Sequence, residues 1–211
     1  MKHLAILGAS GHGKVVADIA ECQGWEKVSF FDDAWPKKQK NGAWSVIGDS
    51  DELLKRLSEF SGVAVAIGDN TVRLNKLNMF KQAGAPLPAL AHPSAVVSRY
   101  SFIDDAVVIV AGAVINADAR VRFGTVINTS ASVGHDCDLG EGCHICPGVR
   151  LAGGVEVGSC SWVGVGTSVR QLVKIGSGVV IGAGAAVVSD IENGAIAVGV
   201  PARIVRPDNQ R

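Results

Sequence analysis

The sequence predicts a small α/β module followed by a parallel β-helix built from six-residue repeats. Two patterns support this division: residues 1 to about 90 alternate strand-like and helix-like segments, whereas aliphatic residues recur at every sixth position from Val97 onward. Composition agrees, because 47% of the 211 residues are hydrophobic but only 5% are aromatic, and 26 are glycine. We therefore expect a core of small and branched side chains.

The N-terminal module begins with a predicted strand, a glycine-rich loop and a helix. The apolar residues 4–7 form the strand, and the loop Gly-Ala-Ser-Gly-His-Gly follows at positions 8–13. Apolar residues at 15, 16, 19 and 20 then have helical spacing.

Two further strand–helix pairs complete this module. Strands are predicted at residues 28–31 and 63–67; Asp49 resembles a helix N-cap, and Gly84 a helix C-cap. We expect a Rossmann-like small parallel sheet in residues 1–90 and a β-helix with a C-terminal cap in residues 91–211.

The repeat is uninterrupted over sixteen positions, all of them branched aliphatic. These are Val97, Ile103, Ile109, Ile115, Val121, Ile127, Val133, Leu139, Ile145, Leu151, Val157, Val163, Val169, Ile175, Ile181 and Val187. Residues two before each aliphatic are small or β-branched, so each short strand points one large and one small side chain inward. Repeats of this kind form a hydrophobic core when successive turns of the β-helix stack on one another.

Glycine follows the repeat aliphatic at six positions, which are 134, 140, 158, 164, 176 and 182. We interpret them as bends whose backbone dihedrals favour glycine.

Charge and cysteine content favour a small-molecule ligand in a reducing compartment. Twenty basic residues balance twenty acidic ones, so neither a nucleic acid nor an anionic membrane is an expected partner. No segment approaches the roughly 20 apolar residues of a membrane span, and the apolar run at the N-terminus is too short for a signal peptide. The five cysteines are odd in number and lack a C-x-x-C motif, which predicts thiols and a cytoplasmic location.

One histidine in the repeat is a candidate general base. His135 follows Val133-Gly134, which places it in the outward bend, and Asp136 is its neighbour. A carboxylate beside an outward imidazole is suited to base catalysis. The alternative is an exposed His–Asp pair without a catalytic role.

Residues 125–154, which read TVINTSASVGHDCDLGEGCHICPGVRLAGG, resemble the active-site stretch of the bacterial sugar-nucleotide acetyltransferases of the hexapeptide-repeat superfamily, which include bacillosamine-pathway and sialic-acid-locus enzymes. The resemblance implies a left-handed β-helix and acetyl-CoA as co-substrate. It implies that His135 is the general base, that Asp136 orients it, that His144 lies near the acyl group and the sulfur, and that Asn128 lines the site. Asp136 stands where the bacillosamine-type enzyme has Glu.

The same resemblance implies a coenzyme A groove between neighbouring β-helices. Backbone amides at Gly153 and Ala183 are expected to bind pantetheine, Pro201 lies in a tail expected near the CoA nucleotide, and His144 and Val163 complete the predicted cofactor contacts.

The N-terminal loop departs from G-x-G-x-x-G, since Ser10 replaces the second glycine. Amides at a helix start bind phosphate, and a module of about 90 residues fits one nucleotide. The resemblance implies a UDP-linked amino-sugar substrate bound by Gly8, Ser10, Gly11, His12, Gly13, Asp32, Asp33, Gly68, Asn70 and Arg73. Asp32 and Asp33 have the alternative of a solvated strand end.

The expected activity is N-acetylation of a UDP-linked amino-deoxy sugar by a homotrimer. O-acetylation of a sugar hydroxyl and a non-enzymatic β-helix scaffold are the alternatives. A γ-type carbonic anhydrase needs three histidines around zinc, and the repeat has only His135 and His144, so no metal is expected.

Overall fold

A computed structural model describes residues 2–205 and divides the chain into two compact units, Met1–Pro93 and Ser94–Arg211. The boundary falls after Pro93 rather than after residue 90. No helix in the described part of the chain combines the length and apolar character needed to cross a membrane.

The first unit contains a three-stranded parallel sheet. Its elements are β1 (His3–Leu7), α1 (Gly11–Cys22), β2 (Lys27–Phe31), β3 (Lys40–Asn41), β4 (Trp44–Ser45), α2 (Ser50–Lys55), a 3-10 turn (Leu57–Glu59), β5 (Gly62–Val65), α3 (Asn70–Gln82) and β6 (Leu90–Ala91). The sheet order is β2-β1-β5, with β1 paired in parallel on both sides. Buried strand residues such as Leu4, Ile6 and Phe30 form its core.

The helices begin and end close to the predicted positions, with one exception. The Asp49 carboxylate accepts a hydrogen bond from the Glu52 amide (2.9 Å), as a capping residue should. The helix it opens is short, however, because the chain passes into the 3-10 turn after Lys55. Helix α3 ends at Gln82, and Gly84 then adopts the left-handed conformation (φ 77°).

The second unit is a parallel β-helix of two-residue strands. They are β7 (Val96–Val97), β8 (Phe102–Ile103), β9 (Val108–Ile109), β10 (Val114–Ile115), β11 (Arg120–Val121), β12 (Val126–Ile127), β13 (Ser132–Val133), β14 (Asp138–Leu139), β15 (His144–Ile145), β16 (Arg150–Leu151), β17 (Glu156–Val157), β18 (Trp162–Val163), β19 (Ser168–Val169), β20 (Lys174–Ile175), β21 (Val180–Ile181), β22 (Ala186–Val187), β23 (Ile196–Val198) and β24 (Arg203–Val205).

Three faces result, because each strand pairs with the strand 18 residues away, as Val114 does with Ser132. The first face contains β7, β10, β13, β16, β19 and β22; the second contains β8, β11, β14, β17 and β20; the third contains β9, β12, β15, β18, β21 and β23. The coil shortens at its end, where Val180 pairs with Ile196, and β24 folds back antiparallel on β23.

The interior has the predicted two-register pattern. Val133 and Ala131, which represent the large and small inward positions, are both completely buried. Hydroxyl side chains in the small register bind backbone: Thr125 donates to the Gly140 carbonyl (2.8 Å) and Ser161 to the Gly176 carbonyl (2.7 Å). Stacked coils therefore provide the core that no single rung could form.

The glycines after the repeat aliphatic have a different role from the predicted one. From residue 106 to residue 184, the left-handed residue of each corner lies three positions after the aliphatic, as Asp136 (φ 59°) does after Val133. A Cβ at Gly134 would lie 2.6 Å from the carbonyl carbon of Ala152 in the next coil. These glycines are required by close approach of coils, so the dihedral interpretation was wrong.

Candidate active site

The His135–Asp136 pair lies at a corner between the first and second faces. Strand β13 precedes the corner and β14 follows it. The Asp136 carboxylate is 2.6 Å from Nδ1 of His135, and both side chains are well exposed (71% and 64%). The outward position predicted for His135 is therefore confirmed.

Backbone hydrogen bonds to adjacent coils hold this corner rigid. The Asp136 amide donates to the Ala117 carbonyl (3.2 Å), and the His135 carbonyl accepts from the Gly154 amide (2.8 Å). Because Asp136 accepts a hydrogen bond from Nδ1–H, the Nε2 lone pair of His135 is available to accept a proton. The pair has the geometry of an oriented general base.

Gly153 lies at the same corner, one coil further along. A Cβ placed there would be 2.5 Å from Cε1 and Nε2 of His135, so the imidazole rests against this glycine. Gly153 therefore has a steric role beside the predicted backbone contact with pantetheine, which stays a prediction.

His144 lies on the third face in a nearly closed environment. It is 5% exposed, and its ring lies 4.3 Å from the Trp162 ring, centroid to centroid. The Asn128 amide nitrogen is 3.0 Å from Nε2 of His144. Asn128 and His144, which were predicted to line one site, are therefore in contact.

The orientation of the Asn128 amide assigns the tautomer of His144. Its carbonyl oxygen accepts from the Thr129 amide (2.8 Å), so its NH₂ group faces Nε2. Nε2 then accepts, and the proton of neutral His144 is on Nδ1. Because Nε2 is bonded to Asn128 and Nδ1 is buried, neither ring nitrogen of His144 is placed to act as a base on a ligand.

Within one chain the two histidines lie on opposite sides of the coil. His135 is at the vertex between the first two faces, whereas His144 points outward from the third face, opposite that vertex. A single chain therefore does not bring together the two histidines predicted to share one site.

The remaining predicted cofactor residues have different surroundings. Ala183 lies at a corner between the third and first faces, and Pro201 follows a cis peptide bond close to β24. The Val163 side chain is fully buried in the coil interior, and its predicted contact with the cofactor stays a prediction. Its outward neighbour Trp162, which we did not predict, packs against the His144 ring. The repeat could have predicted the contact between Trp162 and His144, since Trp162 lies 18 residues after His144 and therefore beside it on the same face.

The glycine loop of the first unit is shaped by close packing. Gly8 has φ 106°, and a Cβ there would be 2.7 Å from the Ala66 carbonyl oxygen. A Cβ at Gly13 would be 2.3 Å from the Gly8 carbonyl oxygen. The loop leads into α1, which has no acidic residue in its first turn, so Ser10, Gly11 and His12 lie where the helix dipole favours an anion.

The two aspartates after β2 tie this loop and α2 in place. Asp32 accepts from the Ala9 amide (2.8 Å) and the Ala34 amide (3.0 Å), while Asp33 accepts from the Ser50 amide (3.0 Å). Burial alone would raise the pKa of each carboxyl. The hydrogen bonds, together with the charges of Lys38 and Lys76, outweigh burial and lower both pKa values. Neither residue is merely a solvated strand end.

Arg73 is buried behind the loop, and His12 in the loop is partly buried. Arg73 is 1% exposed and donates to the carbonyls of Ile67 (3.0 Å) and Gly68 (3.3 Å) and to the Asn70 side chain (2.8 Å). Burial, with the charge of Arg73, lowers the pKa of His12 to about 4. Arg73 thus supports the 67–70 loop from within.

The β3–β4 hairpin contacts the glycine loop, a contact that we did not predict. The Asn41 side chain, 5% exposed, donates to the Ser10 carbonyl (3.1 Å) from the β3–β4 hairpin. The Asn41-Gly42 dipeptide at the end of β3 is a turn signal that could have indicated this hairpin.

Comparison with known proteins gives matches to both parts of the chain. Residues 3–80 match the family model of the PglD N-terminal domain. UDP-N-acetylbacillosamine N-acetyltransferase of Bacillus subtilis (strain 168) is 34% identical over 113 residues, which are 53% of this chain and 52% of that protein. This match therefore spans about half the length of the curated relative.

Solved structures match nearly the whole chain. The acetyltransferase domain of PglB from Neisseria gonorrhoeae FA1090, in complex with acetyl coenzyme A, has a TM-score of 0.93 and 39% identity, covering 97% of this chain and 99% of that one. PerB from Caulobacter crescentus, in complex with CoA and GDP-perosamine, has a TM-score of 0.92 and 38% identity, covering 98% of each chain. The left-handed sense predicted for the β-helix agrees with this match. The chain belongs to the bacterial sugar-nucleotide N-acetyltransferases of the hexapeptide-repeat superfamily.

Proposed function

We propose that this protein transfers the acetyl group of acetyl-CoA to the amino group of a UDP-linked amino-deoxy sugar, with His135 as general base. The observation that carries the proposal is the His135–Asp136 pair, with Nδ1 and carboxylate 2.6 Å apart at an exposed, rigid corner. An imidazole oriented in this way has Nε2 available for the proton of an attacking amine. The solved structures bound to acetyl coenzyme A, or to CoA with GDP-perosamine, support both substrate classes.

The reaction needs no covalent acyl-enzyme. The sugar amine attacks the thioester carbonyl, a C–N bond forms, and the C–S bond breaks. His135 accepts the amine proton and returns it to the departing CoA thiolate, so the products are an amide and CoA. Nδ1 of His144 is buried and Nε2 is bonded to Asn128, so we propose that His144 supports the site through its packing against Trp162.

A homotrimer would complete this site. Since His135 and His144 lie on opposite sides of one coil, they can act on the same thioester only if they come from neighbouring chains. We propose three equivalent sites, each combining the His135 corner of one chain with the third face of the next. Gly153 and Ala183, at different corners, would then contact pantetheine from two chains.

The sugar nucleotide is proposed to bind at the glycine loop. The Ala9 amide is already bonded to Asp32, which leaves Ser10, Gly11 and His12 amides at the start of α1 as the phosphate donors. Gly68 and Asn70, held by Arg73, form the facing loop.

We propose UDP as the nucleotide because the bacillosamine enzyme is among the relatives. The proposed location is the cytoplasm, which the odd number of cysteines without a C-x-x-C motif favours.

The test is a substrate panel with acetyl-CoA, followed by thiol release. Matched UDP- and GDP-linked 4-amino-sugars and their 4-hydroxy counterparts are compared, and each product is treated with hydroxylamine, which cleaves esters but not amides. We expect a hydroxylamine-resistant product from a UDP-amino-sugar and a loss of about 10²–10⁴-fold in His135→Ala. Turnover of only GDP-sugars would refute the UDP assignment, an ester product would indicate O-acetylation, and no thiol release from any acceptor would favour a scaffold. Unchanged activity in His135→Ala would refute the mechanism.

A further inference from the structure

A second group of chemically reactive side chains lies in the first unit, outside the proposed active site. Asp18, Cys22 and His92 place a carboxylate oxygen, the thiol sulfur and an imidazole nitrogen within 4.8 Å of one another. These residues are distant in sequence, and neither the glycine loop nor the repeat uses them.

The fold brings this group together through α1 and the segment after β6. Asp18 and Cys22 are four residues apart on α1, so their side chains lie on the same side of the helix. Strand β6 contacts α1, and His92 follows β6 directly. Asp18 and Cys22 are exposed and His92 is partly buried, so rotation of the two helix side chains is unhindered by a packed core.

Electrostatics at this position favour a cation. Cys22 is the last residue of α1, where the helix dipole is negative, and the last turn contains no basic residue. A carboxylate and a thiolate would add two negative charges, which a divalent ion would neutralise.

We propose that Asp18, Cys22 and His92 bind a Zn²⁺ ion, with water as the fourth ligand. Thiolate, imidazole and carboxylate together match zinc, whereas Mg²⁺ and Ca²⁺ select oxygen ligands. Tetrahedral coordination at Zn–S of ~2.3 Å and Zn–N of ~2.0 Å separates ligand atoms by roughly 3.5 Å, so the side chains close by about 1 Å. Binding releases the thiol proton. The ion fastens residue 92 to the end of α1 and has no part in acetyl transfer.

The test uses Co²⁺ as a spectroscopic substitute for Zn²⁺ on the reduced full-length protein. We expect one Co²⁺ per chain, with the charge-transfer absorption of a Co²⁺–thiolate bond and displacement by Zn²⁺. Cys22→Ser should abolish this band, and Asp18→Asn should weaken Zn²⁺ affinity at least tenfold. Cys160→Ser is the matched control, because Cys160 is outside the group, and it should keep full binding.

A second measurement is thermal unfolding with and without excess Zn²⁺. Zn²⁺ should raise the melting temperature of wild type and Cys160→Ser but not of Cys22→Ser. The proposal is overturned if wild type binds no stoichiometric Co²⁺ or Zn²⁺, or if Cys22→Ser retains the thiolate band and the stabilisation. Because Cys22 and Asp18 are outside the acetyl-transfer site, either result leaves the proposed function intact.

Discussion

The imidazole of His135 rests on Gly153, the residue one coil further along at the same corner. An alanine Cβ there would lie 2.5 Å from Nε2, the nitrogen proposed to accept the substrate proton. The backbone of Gly153 lies outside the left-handed region, so the need for glycine at this position comes from contact with His135 rather than from its own conformation.

Gly153→Ala should therefore inactivate the enzyme without unfolding it. The added methyl displaces the ring by more than 1 Å, and such a misplacement of a catalytic group costs about a hundredfold in kcat/KM. Steady-state acetyl transfer measures the loss, and urea unfolding checks stability. Gly178→Ala is the control, since no atom would contact its Cβ although its φ is 64°. If Gly153→Ala is fully active, the glycine does not position His135.

Asp136→Asn tests whether the short bond to Nδ1 contributes to catalysis. Asparagine tolerates the left-handed backbone (φ 59°) of this corner, so the change removes the charge with little effect on the fold. An amide can still face Nδ1 but stabilises the imidazolium less, and we expect kcat/KM to fall roughly tenfold to a hundredfold. A rate equal to wild type would make Asp136 a bystander at the corner.

Asn128→Asp should change the tautomer of His144. A carboxylate in place of the amide accepts a hydrogen bond from Nε2–H, whereas the wild-type NH₂ group donates a hydrogen bond to Nε2 across 3.0 Å. In ¹⁵N-histidine NMR at neutral pH, His144 should have its proton on Nδ1 in wild type and on Nε2 in the variant. Acetyl transfer should fall in parallel. Thr129→Val, which loses only one of two hydrogen bonds to Asn128, should keep the wild-type tautomer.

Much of the fold could be predicted from sequence because the repeat imposes its own geometry. The side chains of Val133 and Ala131 point inward in the structure, as the six-residue period predicts. The cause is the alternation of side chains along each short strand of the stacked coil. The left-handed corners could not be predicted from residue type, since left-handed residues include Ala106 and Leu172, which do not favour that conformation. The reason for Gly134 was missed because a close approach between coils depends on residues 18 positions apart.

The site was predicted residue by residue but not as an assembly. The outward position of His135 follows from the register, whereas the separation of His135 from His144 depends on which face each hexad occupies. Arg73 was predicted to bind substrate from its motif, yet its burial behind the loop results from packing of α3 that the motif does not encode.

Thr125→Val tests whether the interior hydroxyls stabilise the coil. The two side chains have the same shape, so no cavity forms, but the Gly140 carbonyl loses its 2.8 Å donor and the Cys143 amide its 3.1 Å acceptor. Both backbone groups are in the interior, and the loss should be about 1–3 kcal/mol in free energy of unfolding. Exposed Thr71→Val should change stability by less than about 0.5 kcal/mol. Equal stability of the two variants would show that packing alone holds the coil.

Acid should destabilise the first unit through His12. Burial, with Arg73, lowers the pKa of folded His12 to about 4 from 6.5, so the unfolded chain binds a proton that the fold excludes. Stability contributed by neutral His12 is complete above pH 6.5 and is lost as the pH falls from 6.5 towards 4. The shift corresponds to roughly 3 kcal/mol.

Urea unfolding between these pH values should show this loss of stability in wild type and a much smaller loss in His12→Gln. The stability of that variant should still fall slightly as the pH is lowered, because burial also lowers the pKa of His3. Equal slopes in the two proteins would show that His12 does not control the acid sensitivity of this unit.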